Sequence, residues 1–358
     1  MEGWEPVEFS ALAGWAADDH QAALACLRIS AKGFADRIPS GRIAVAPSQE
    51  LLSVAEAAFK INMGKIGIAG ARSFFENNFQ PMKLGSDPGF VTAYFEPEVE
   101  ASRVKTAEYS YPLYKRPADL VKIDRDNPPD NVTPGLEYAR KTDRGLVDFY
   151  DRGEIDKGAL SGRGLELFWL RSAVEAFYIH VQGSARLLLT DDTGVRVSYA
   201  GKTGHPYTSI AKELVSRGVF TVENANMKNL REWLESDEER ALELLHRNRS
   251  YIFFAEVKGH DPDFGPVAAA GVQLTPGRSL AVDRTVHAYG TPIWLNTLEP
   301  LPFDTKPFRR LMIAQDTGSA IVGPQRGDIF IGSGAEAGQV AGAVRHKTDF
   351  VVLAPKPV

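Results

Sequence analysis

An aspartate near the C-terminus has the surroundings that acid–base chemistry requires, and a second aspartate lies close to it in sequence. Asp316 follows an apolar run, Leu311 to Ala314, that predicts a buried strand, and Thr317-Gly318-Ser319 after it predicts a turn. A carboxyl group where a buried strand meets a turn is partly desolvated, which raises its pKa and lets it carry a proton near neutral pH. Asp328 lies twelve residues further on. The pattern is typical of a general acid, although an aspartate that only accepts hydrogen bonds from its own turn has the same local sequence.

Carboxyl groups of this kind are used to cleave sugars. A hydrolytic glycosidase needs one carboxyl to protonate the leaving oxygen and a second to attack carbon or activate water. Asp316 could pair with Asp328 or with Asp283, which ends the run Arg278 to Asp283. Aromatic side chains of a kind that lines sugar clefts also occur upstream, although packing accounts for most such residues; they are Tyr94, Phe95, Tyr111, Tyr114, Tyr178, Tyr199 and Tyr207.

The tripeptide Asp-Thr-Gly occurs twice, and this opens a second hypothesis. Two such loops facing each other form the shared-proton pair of an aspartic protease. The copies are Asp192 to Gly194 and Asp316 to Gly318. The first copy separates two β-rich runs, Ala176 to Thr190 and Val195 to Ala200, where a hairpin turn also explains it. A third hypothesis is a barrel that binds glycan without cleaving it.

The elements that must hold these residues change in character along the chain. Helical spacing runs from residue 18 to about 80, with an Asp18-Asp19 cap before Leu24 and Leu27. A strand is predicted from Phe90 to Phe95, and the chain beyond Arg249 contains short strands separated by turns. These are predicted at Tyr251 to Val257, Ser279 to Val282, Thr291 to Leu295, Leu311 to Ala314, Ile329 to Ile331 and Phe350 to Leu353. The sequence therefore predicts a mainly β fold with flanking helices and a small closed barrel.

Composition excludes several classes of function. The chain has 358 residues, 44% of them hydrophobic and 24% charged, which allows two globular domains. A net charge of -5 gives no general attraction to nucleic acid or to anionic lipid, so we predict no nucleic-acid partner. Cys26 is the only cysteine and no histidine pair has H-x-x-x-H spacing, so we predict no metal and no cofactor. No membrane-spanning run and no export signal is visible, so we expect a cytosolic protein or an exported one without its signal.

Eight stretches in order resemble the membrane-bound lytic murein transglycosylase A family. They are T-A-Y-F-E-P (92 to 97), Y-P-L-Y (111 to 114), I-H-V-Q-G-S (179 to 184), S-Y-A-G-K-T-G-H-P-Y-T-S-I (198 to 210), N-R-S-Y-I-F-F (248 to 254), R-S-L-A-V-D (278 to 283), A-Q-D-T-G-S-A-I-V-G (314 to 323) and R-G-D-I-F (326 to 330). The three aspartates Asp283, Asp316 and Asp328 look like those that name the family's 3D domain. The resemblance covers about three quarters of the chain, from about residue 90 onwards.

The resemblance implies a fold and a reaction. The fold is a double-ψ β-barrel of the barwin/endoglucanase-like kind, built from residues 1–103 and 250–358, with residues 1–88 largely helical. A second β-rich, substrate-binding domain, residues 104–249, is inserted, and substrate lies in a groove between the domains. The family cleaves the β-1,4 bond between N-acetylmuramic acid and N-acetylglucosamine in peptidoglycan without water, forming a 1,6-anhydro sugar. Asp316 would be the catalytic residue, with Asp328 and Asp283 supporting it.

The resemblance also implies substrate contacts, partners and a location. The contacts expected in addition to Tyr94 and Phe95 are Gln182, Gly183, Ser184, Tyr199, Gly201, Lys202, Gly204, Tyr207, Thr317, Gly318 and Ala320. The partners are peptidoglycan glycan strands and proteins of the cell-wall machinery, and we expect a monomer. The location is the periplasm, with outer-membrane attachment in the full-length precursor. Family members carry a lipid on an N-terminal cysteine, whereas Cys26 lies inside a helical pattern.

Overall fold

The computed structural model describes residues 3–36, 42–124, 126–258, 261, 263–302 and 304–357. The chain forms two compact units. The first, here called the barrel unit, contains Met1–Phe95 and His260–Val358. The second, the insert unit, is the continuous stretch Glu96–Gly259 between them. The barrel unit is therefore assembled from two segments that are far apart in sequence.

Helices occupy both units. They are α1 (His20–Ala35), α2 (Gln49–Lys60), α3 (Ile68–Asn78), α4 (Arg152–Glu154), α5 (Ala173–Gln182), α6 (Ile210–Ser216), α7 (Met227–Glu235), α8 (Glu238–Leu245) and α9 (Gly334–Ala343). Strands of the first segment and the insert unit are β1 (Trp4–Pro6), β2 (Phe79–Leu84), β3 (Gly89–Glu96), β4 (Glu98–Ala101), β5 (Tyr111–Tyr114), β6 (Leu120–Lys122), β7 (Tyr138–Thr142), β8 (Gly145–Asp148), β9 (Glu166–Leu170), β10 (Ser184–Leu189), β11 (Gly194–Lys202) and β12 (Ile252–Val257). The last segment adds β13 (Ser279–Val282), β14 (Pro292–Pro300), β15 (Pro307–Asp316), β16 (Arg326–Ser333) and β17 (Arg345–Pro355).

The sheet of the barrel unit closes on itself. Its strand order is β1-β2-β17-β14-β15-β13-β16-β3, and β3 also pairs with β17. The strands from β17 to β3 therefore form a closed ring of six. The closure is possible because β17 is long: residues 345–348 pair with β3, and residues 348–352 pair with β14. Closing the ring removes the exposed edges that an open sheet would present.

Apolar residues of the ring alternate between two clusters. Along β15, Leu311 and Ile313 pack with the helices α1, α2 and α3, whereas Met312 and Ala314 belong to a second cluster with residues of the other ring strands. This two-residue period is what the pleat of a strand imposes. Consecutive residues of β15 therefore face different surroundings.

A buried ion pair fixes the start of α1 to the ring. Both carboxylate oxygens of Asp18 accept hydrogen bonds from the guanidinium of Arg278, at 2.8 Å each. The backbone N–H of Leu311 donates to the same carboxylate at 2.8 Å. Of the predicted Asp18-Asp19 cap, only Asp19 is the N-cap of α1, and its side chain accepts from the N–H of Ala22. Asp18 thus serves to attach α1 to the ring rather than to cap it.

The insert unit contains several small sheets. One has the order β12-β11-β10-β4, a second pairs β5 with β9, and a third has the order β6-β7-β8. Helices α5, α7 and α8 form one apolar cluster of this unit with Leu214 of α6. Glu96, fully buried, accepts hydrogen bonds from Arg186 and Arg196 at 3.0 Å each.

The predicted strand Ala176 to Thr190 was wrong over its first half. Residues Ala173 to Gln182 form helix α5, and only the part from Ser184 onwards is a strand. The helix starts because the Ser172 side chain accepts from the N–H of Glu175, and it ends at Gly183, whose φ of 81° is a left-handed conformation suited to glycine. These two capping signals outweigh the β propensity of the apolar run.

Candidate active site

Asp316 is the last residue of β15 and is partly buried. Its Oδ1 accepts hydrogen bonds from the N–H of Thr317 at 2.8 Å and of Ala269 at 3.1 Å. Its Oδ2 accepts from the hydroxyl of Tyr94 on β3 at 2.8 Å. Burial raises the pKa of Asp316 above its ordinary value, and the three donors with the charge of Arg42 only partly oppose this. The group therefore holds a proton more readily than a free carboxyl, yet its carboxylate form is provided with donors.

Asp328 on β16 has its own set of partners. The hydroxyl of Thr92 donates to its Oδ1, and Arg326 Nη2 lies 2.6 Å from the Thr92 oxygen. Burial raises the pKa of Asp328 to about 6, the Thr92 contact and Arg326 oppose this, and the charge of Asp316 adds to it. Thr92 and Tyr94 are two residues apart on β3, so one face of that strand supplies a hydroxyl to each aspartate.

Asp283 holds loops together. Its Oδ1 accepts from the N–H and the hydroxyl of Thr285, at 2.9 and 2.6 Å, and its Oδ2 accepts from the N–H of Gly323 at 2.7 Å. Burial works against ionisation, but these hydrogen bonds outweigh it and lower the pKa of Asp283. The carboxylate stays ionised and ties its own turn to the loop that follows Asp316.

The turn after Asp316 is braced from several sides. The Thr317 hydroxyl donates to the carbonyl of Val282 at 2.8 Å, and the N–H of Ile321 donates to the carbonyl of Gly318 at 3.1 Å. Ala320 lies exposed at the turn. Phe95, at the end of β3, lies against Gly338 of α9, where an added Cβ would meet its ring at 2.8 Å. Phe95 thus packs within the barrel unit.

The residues Gln182, Gly183 and Ser184 mark the junction between α5 and β10 in the insert unit. Gln182 ends the helix, and the N–H of Gly183 donates to the carbonyl of Ile179 at 2.8 Å. Ser184 is buried and pairs with Ser198 of β11. The local geometry gives Gly183 a structural reason for being glycine.

A second group of predicted contacts lies at the end of β11. The ammonium of Lys202 forms a salt bridge with Glu137 at 2.7 Å. At Gly201 an added Cβ would lie 3.1 Å from the side chain of Arg116, and at Gly204, with φ of 89°, it would lie 2.9 Å from the backbone N of Tyr138. Gly201 thus leaves room for the Arg116 side chain, and Gly204 permits the segment after β11 to approach the backbone at Tyr138 closely.

The predicted aromatic residues divide between core and surface. Tyr114 and Tyr178 are buried in apolar clusters, and Tyr178 donates to the carbonyl of Met227, so neither lines a cleft. Tyr111 donates its hydroxyl to Glu238. Tyr199 is half-buried on β11, and Tyr207 has 42% of its surface exposed. Tyr111 is half-buried like Tyr199, so the structure leaves Tyr111, Tyr199 and Tyr207 as the accessible candidates of the insert unit.

The chain matches two protein-family models and is similar to solved structures. The family model "MltA specific insert domain" matches residues 90–255, and the "3D domain" model matches residues 278–354. A membrane-bound lytic murein transglycosylase from Agrobacterium tumefaciens has a similar crystal structure, with 41% identity and a TM-score of 0.90 over 99% of this chain and 98% of that one. The chain belongs to the membrane-bound lytic murein transglycosylase A family.

Other members of the murein transglycosylase A family are more distant. The protein of Vibrio cholerae is 33% identical over 267 residues, covering 71% of this chain and 62% of that protein. The chain thus spans less than two thirds of the length of this relative. A structure of the Escherichia coli family member with bound chitohexaose has 25% identity and a TM-score of 0.70, covering 100% of this chain and 96% of that one.

The first Asp-Thr-Gly copy has the features of a turn. Asp191 accepts from both the N–H and the hydroxyl of Thr193, and Asp192 has a left-handed backbone with φ of 62°. The N–H of Asp192 donates to the carbonyl of Leu189 at 2.9 Å. Turn chemistry is sufficient to explain these residues.

Three further contributors to the site were not among the predicted residues. Thr92 and Arg326 contact each other beside Asp328, and the N–H of Ala269 donates to Asp316. Thr92 and Arg326 begin two of the stretches that resemble the family, so position in a motif was the available signal. Ala269 contributes through its backbone, which residue type does not reveal.

Among the residues that the structure describes, no group of three or more His, Cys, Asp or Glu is placed to hold a metal ion. Within the same ranges, none of the helices has the length and apolar character needed to cross a bilayer.

Proposed function

We propose that the protein is a peptidoglycan lytic transglycosylase that cleaves the β-1,4 bond between N-acetylmuramic acid and N-acetylglucosamine without water. The observation that carries the proposal is the environment of Asp316. Burial favours its protonated form, and three donors are in place for its ionised form. Family membership supports the same reaction, since the relatives are named lytic murein transglycosylases.

In the first step, Asp316 donates its proton to the glycosidic oxygen as the bond from that oxygen to muramic C1 breaks. The proton leaves Asp316 as a carboxylate. Tyr94, Thr317 and Ala269 then direct their donors at the negative charge. Hydrogen bonds to an ionised acceptor are stronger than those to a neutral one, so the site favours the charge that forms during the step.

In the second step, the Asp316 carboxylate takes the proton from the muramic C6 hydroxyl while that oxygen bonds to C1. The 1,6-anhydro ring closes and the aspartate is protonated again. Because the nucleophile belongs to the substrate, its effective concentration is high and a protein nucleophile or water is unnecessary. A single carboxyl therefore acts as acid and then as base.

Asp328 and Asp283 have supporting roles in this proposal. Asp328 lies within β16 rather than at a strand end, and Thr92 occupies one of its oxygens. The charge of Asp316 contributes to the raised pKa of Asp328, so the two carboxyl groups interact. Asp283 stays ionised and accepts a hydrogen bond from Gly323 in the loop between β15 and β16.

The remaining features of the proposal follow from the resemblance. We propose that the closed ring is a double-ψ β-barrel and that the insert unit binds glycan through Tyr199, Lys202 and Tyr207. A family member from Escherichia coli was crystallised with chitohexaose, which supports a glycan ligand. The proposed location is the periplasm, because peptidoglycan is found there.

Digestion of purified peptidoglycan in water enriched with ¹⁸O tests the reaction. The expected products are anhydro-muropeptides without ¹⁸O at the new sugar end, identified by mass spectrometry. Reducing ends that carry ¹⁸O would show a hydrolase, and uncut glycan would leave binding alone or proteolysis. Asp316→Asn is expected to abolish cleavage and keep glycan binding. Asp192→Asn should have little effect on glycan cleavage, whereas the protease hypothesis requires it to damage the protein's activity as much as Asp316→Asn does.

A further inference from the structure

Gln315, the residue before Asp316, occupies an irregular position in the ring. β13 and β15 are parallel, and their Cα partners are Leu280 with Ala314 and then Ala281 with Asp316. Gln315 is thus an extra residue on β15, which makes this a β-bulge. A bulge interrupts the alternation of side chains and redirects the residue that follows. The direction of Asp316 consequently depends on how the bulge is held.

The side chain of Gln315 is fully buried and its amide is saturated with hydrogen bonds. Its Oε1 accepts from the Ser279 hydroxyl at 2.5 Å and from the Cys26 thiol at 3.3 Å. Its Nε2 donates to the Cys26 carbonyl at 3.1 Å and to Ser30 Oγ at 2.8 Å. Burial raises the pKa of Cys26 to about 11, so the thiol keeps the proton that it donates. An amide, with both donors and acceptors, suits this position, and a carboxylate would lack the donors.

The backbone of Gln315 holds the turn that contacts Asp316. Its carbonyl accepts from the N–H of Ala270 at 3.1 Å, next to Ala269, whose N–H donates to Asp316. The turn is closed by hydrogen bonds from Ala268 to Val272 at 3.0 Å and from Gly271 to Ala268 at 2.9 Å. Movement of the bulge would thus shift both the aspartate and one of its donors.

We propose that Gln315 is a positioning residue, which fixes the bulge against α1 and so sets both the direction of Asp316 and its contact with the N–H of Ala269. Helix α1 lies outside the stretches that resemble the family, yet two of its residues, Cys26 and Ser30, hold this amide. The kinetic consequence rests on the proposed function. The geometric consequence does not, because the ionisation of Asp316 is observable without substrate.

The test replaces Gln315 by methionine, which is similar in volume and lacks the amide. Proteins with ¹³C-labelled aspartate carboxyls are titrated by NMR, and the Asp316 resonance is identified by its absence from Asp316→Asn. Because the Ala269 donor favours the ionised form, its displacement in Gln315→Met is expected to move the Asp316 titration to higher pH. Ser30→Ala, which removes one partner of the amide, is expected to give a smaller shift in the same direction. It carries the test if the methionine variant does not fold.

Asn296→Leu is the matched control. Asn296 is a buried amide on β14 of the same ring, and it bonds to Asp349 at 2.8 Å and to Arg309 at 2.9 Å. Its loss should destabilise the unit without moving the Asp316 titration. An unchanged titration in both Gln315→Met and Ser30→Ala overturns the proposal, and so does an equal shift in the control.

Turnover of peptidoglycan is the second readout. Displacement of a catalytic group by about 1 Å can cost on the order of a hundredfold, so Gln315→Met is expected to lose roughly ten- to a hundredfold in kcat with little change in KM. Wild-type kcat in a variant whose titration has shifted would overturn the positioning role. A wild-type protein that forms no anhydro product would refute the proposed function, and the titrations would still decide whether Gln315 positions Asp316.

Discussion

Tyr94→Phe removes the hydroxyl oxygen of this side chain from the site and keeps its aromatic ring. The lost hydroxyl donates to Asp316 Oδ2 at 2.8 Å. A hydrogen bond to a charged group contributes about 1.5–3 kcal/mol and one to a neutral group about 0.5–1.5 kcal/mol. The difference, about 1–1.5 kcal/mol, is the part gained only when the proton leaves Asp316, and it corresponds to roughly a five- to tenfold loss in kcat. The contact with Phe330, at 5.3 Å between ring centroids, is retained, so stability should change little.

The pH dependence of Tyr94→Phe has a defined sign. The tyrosine donor favours the ionised form and lowers the pKa of Asp316, so its loss raises that pKa further. The first step needs protonated Asp316, and the alkaline limb of kcat should therefore move to higher pH. The rate of anhydro-product formation, measured from pH 5 to 9, gives both the loss in kcat and the shift of the alkaline limb. Tyr251→Phe, which loses a hydroxyl in the insert unit, is the control. A wild-type profile in Tyr94→Phe would refute the role given to this donor.

Three further predictions concern other carboxyls and a histidine. Asp328→Asn is expected to lose about ten- to a hundredfold in kcat, against about a thousandfold or more for Asp316→Asn, because only the latter removes the group that transfers the proton; equal losses would contradict this. Asp18→Asn should lower the free energy of unfolding by about 3–5 kcal/mol, since it disrupts the buried ion pair with its arginine partner. Urea denaturation measures both values. For the control Asp19→Asn the free energy of unfolding should fall by less than about 0.5 kcal/mol, because asparagine caps an exposed helix start about as well as aspartate. Burial and a neighbouring guanidinium hold the pKa of His180 well below 6.5, so the unfolded chain binds the proton first and the insert unit should lose stability as the pH falls below about 6.5. In His180→Gln the loss of stability at low pH should be smaller. An unchanged pH dependence of stability in this variant would exclude the histidine as its cause.

Most strands of the ring could be predicted because their apolar runs are short and end at turn residues. The prediction for β13, Ser279 to Val282, matches the structure, whereas β15 begins at Pro307 rather than Leu311. The first four residues of β15 are a proline, a phenylalanine and two arginines, and pairing with β14 keeps them in the sheet although they form no continuous apolar run. Helix α5 was missed because its residues have high β propensity, and the prediction gave that composition more weight than the capping residues Ser172 and Gly183. The double-ψ topology remains a prediction.

The candidate site could be predicted in part. The surroundings of Asp316 were predictable, because an apolar strand that ends in an aspartate and a turn implies a partly desolvated carboxyl. The separate roles of Asp283 and Asp328 were not, since they depend on which donors the fold brings to each carboxylate. Ala269 donates through its backbone from 47 residues away, and neither its type nor its spacing carries information about that contact.

The closure of the ring by β17 has a consequence for synthesis of the chain. β3 ends at Glu96, but its partner strands β16 and β17 begin at Arg326 and Arg345. At roughly 5–20 residues per second, the ribosome takes on the order of tens of seconds to supply them. All pairing strands of the insert unit emerge during that interval, so this unit can complete its sheets first. The N-terminal helices meanwhile expose the apolar faces that they later bury on the ring, and a nascent chain that stops before β17 lacks Val351 and Leu353, which complete the cover over those faces.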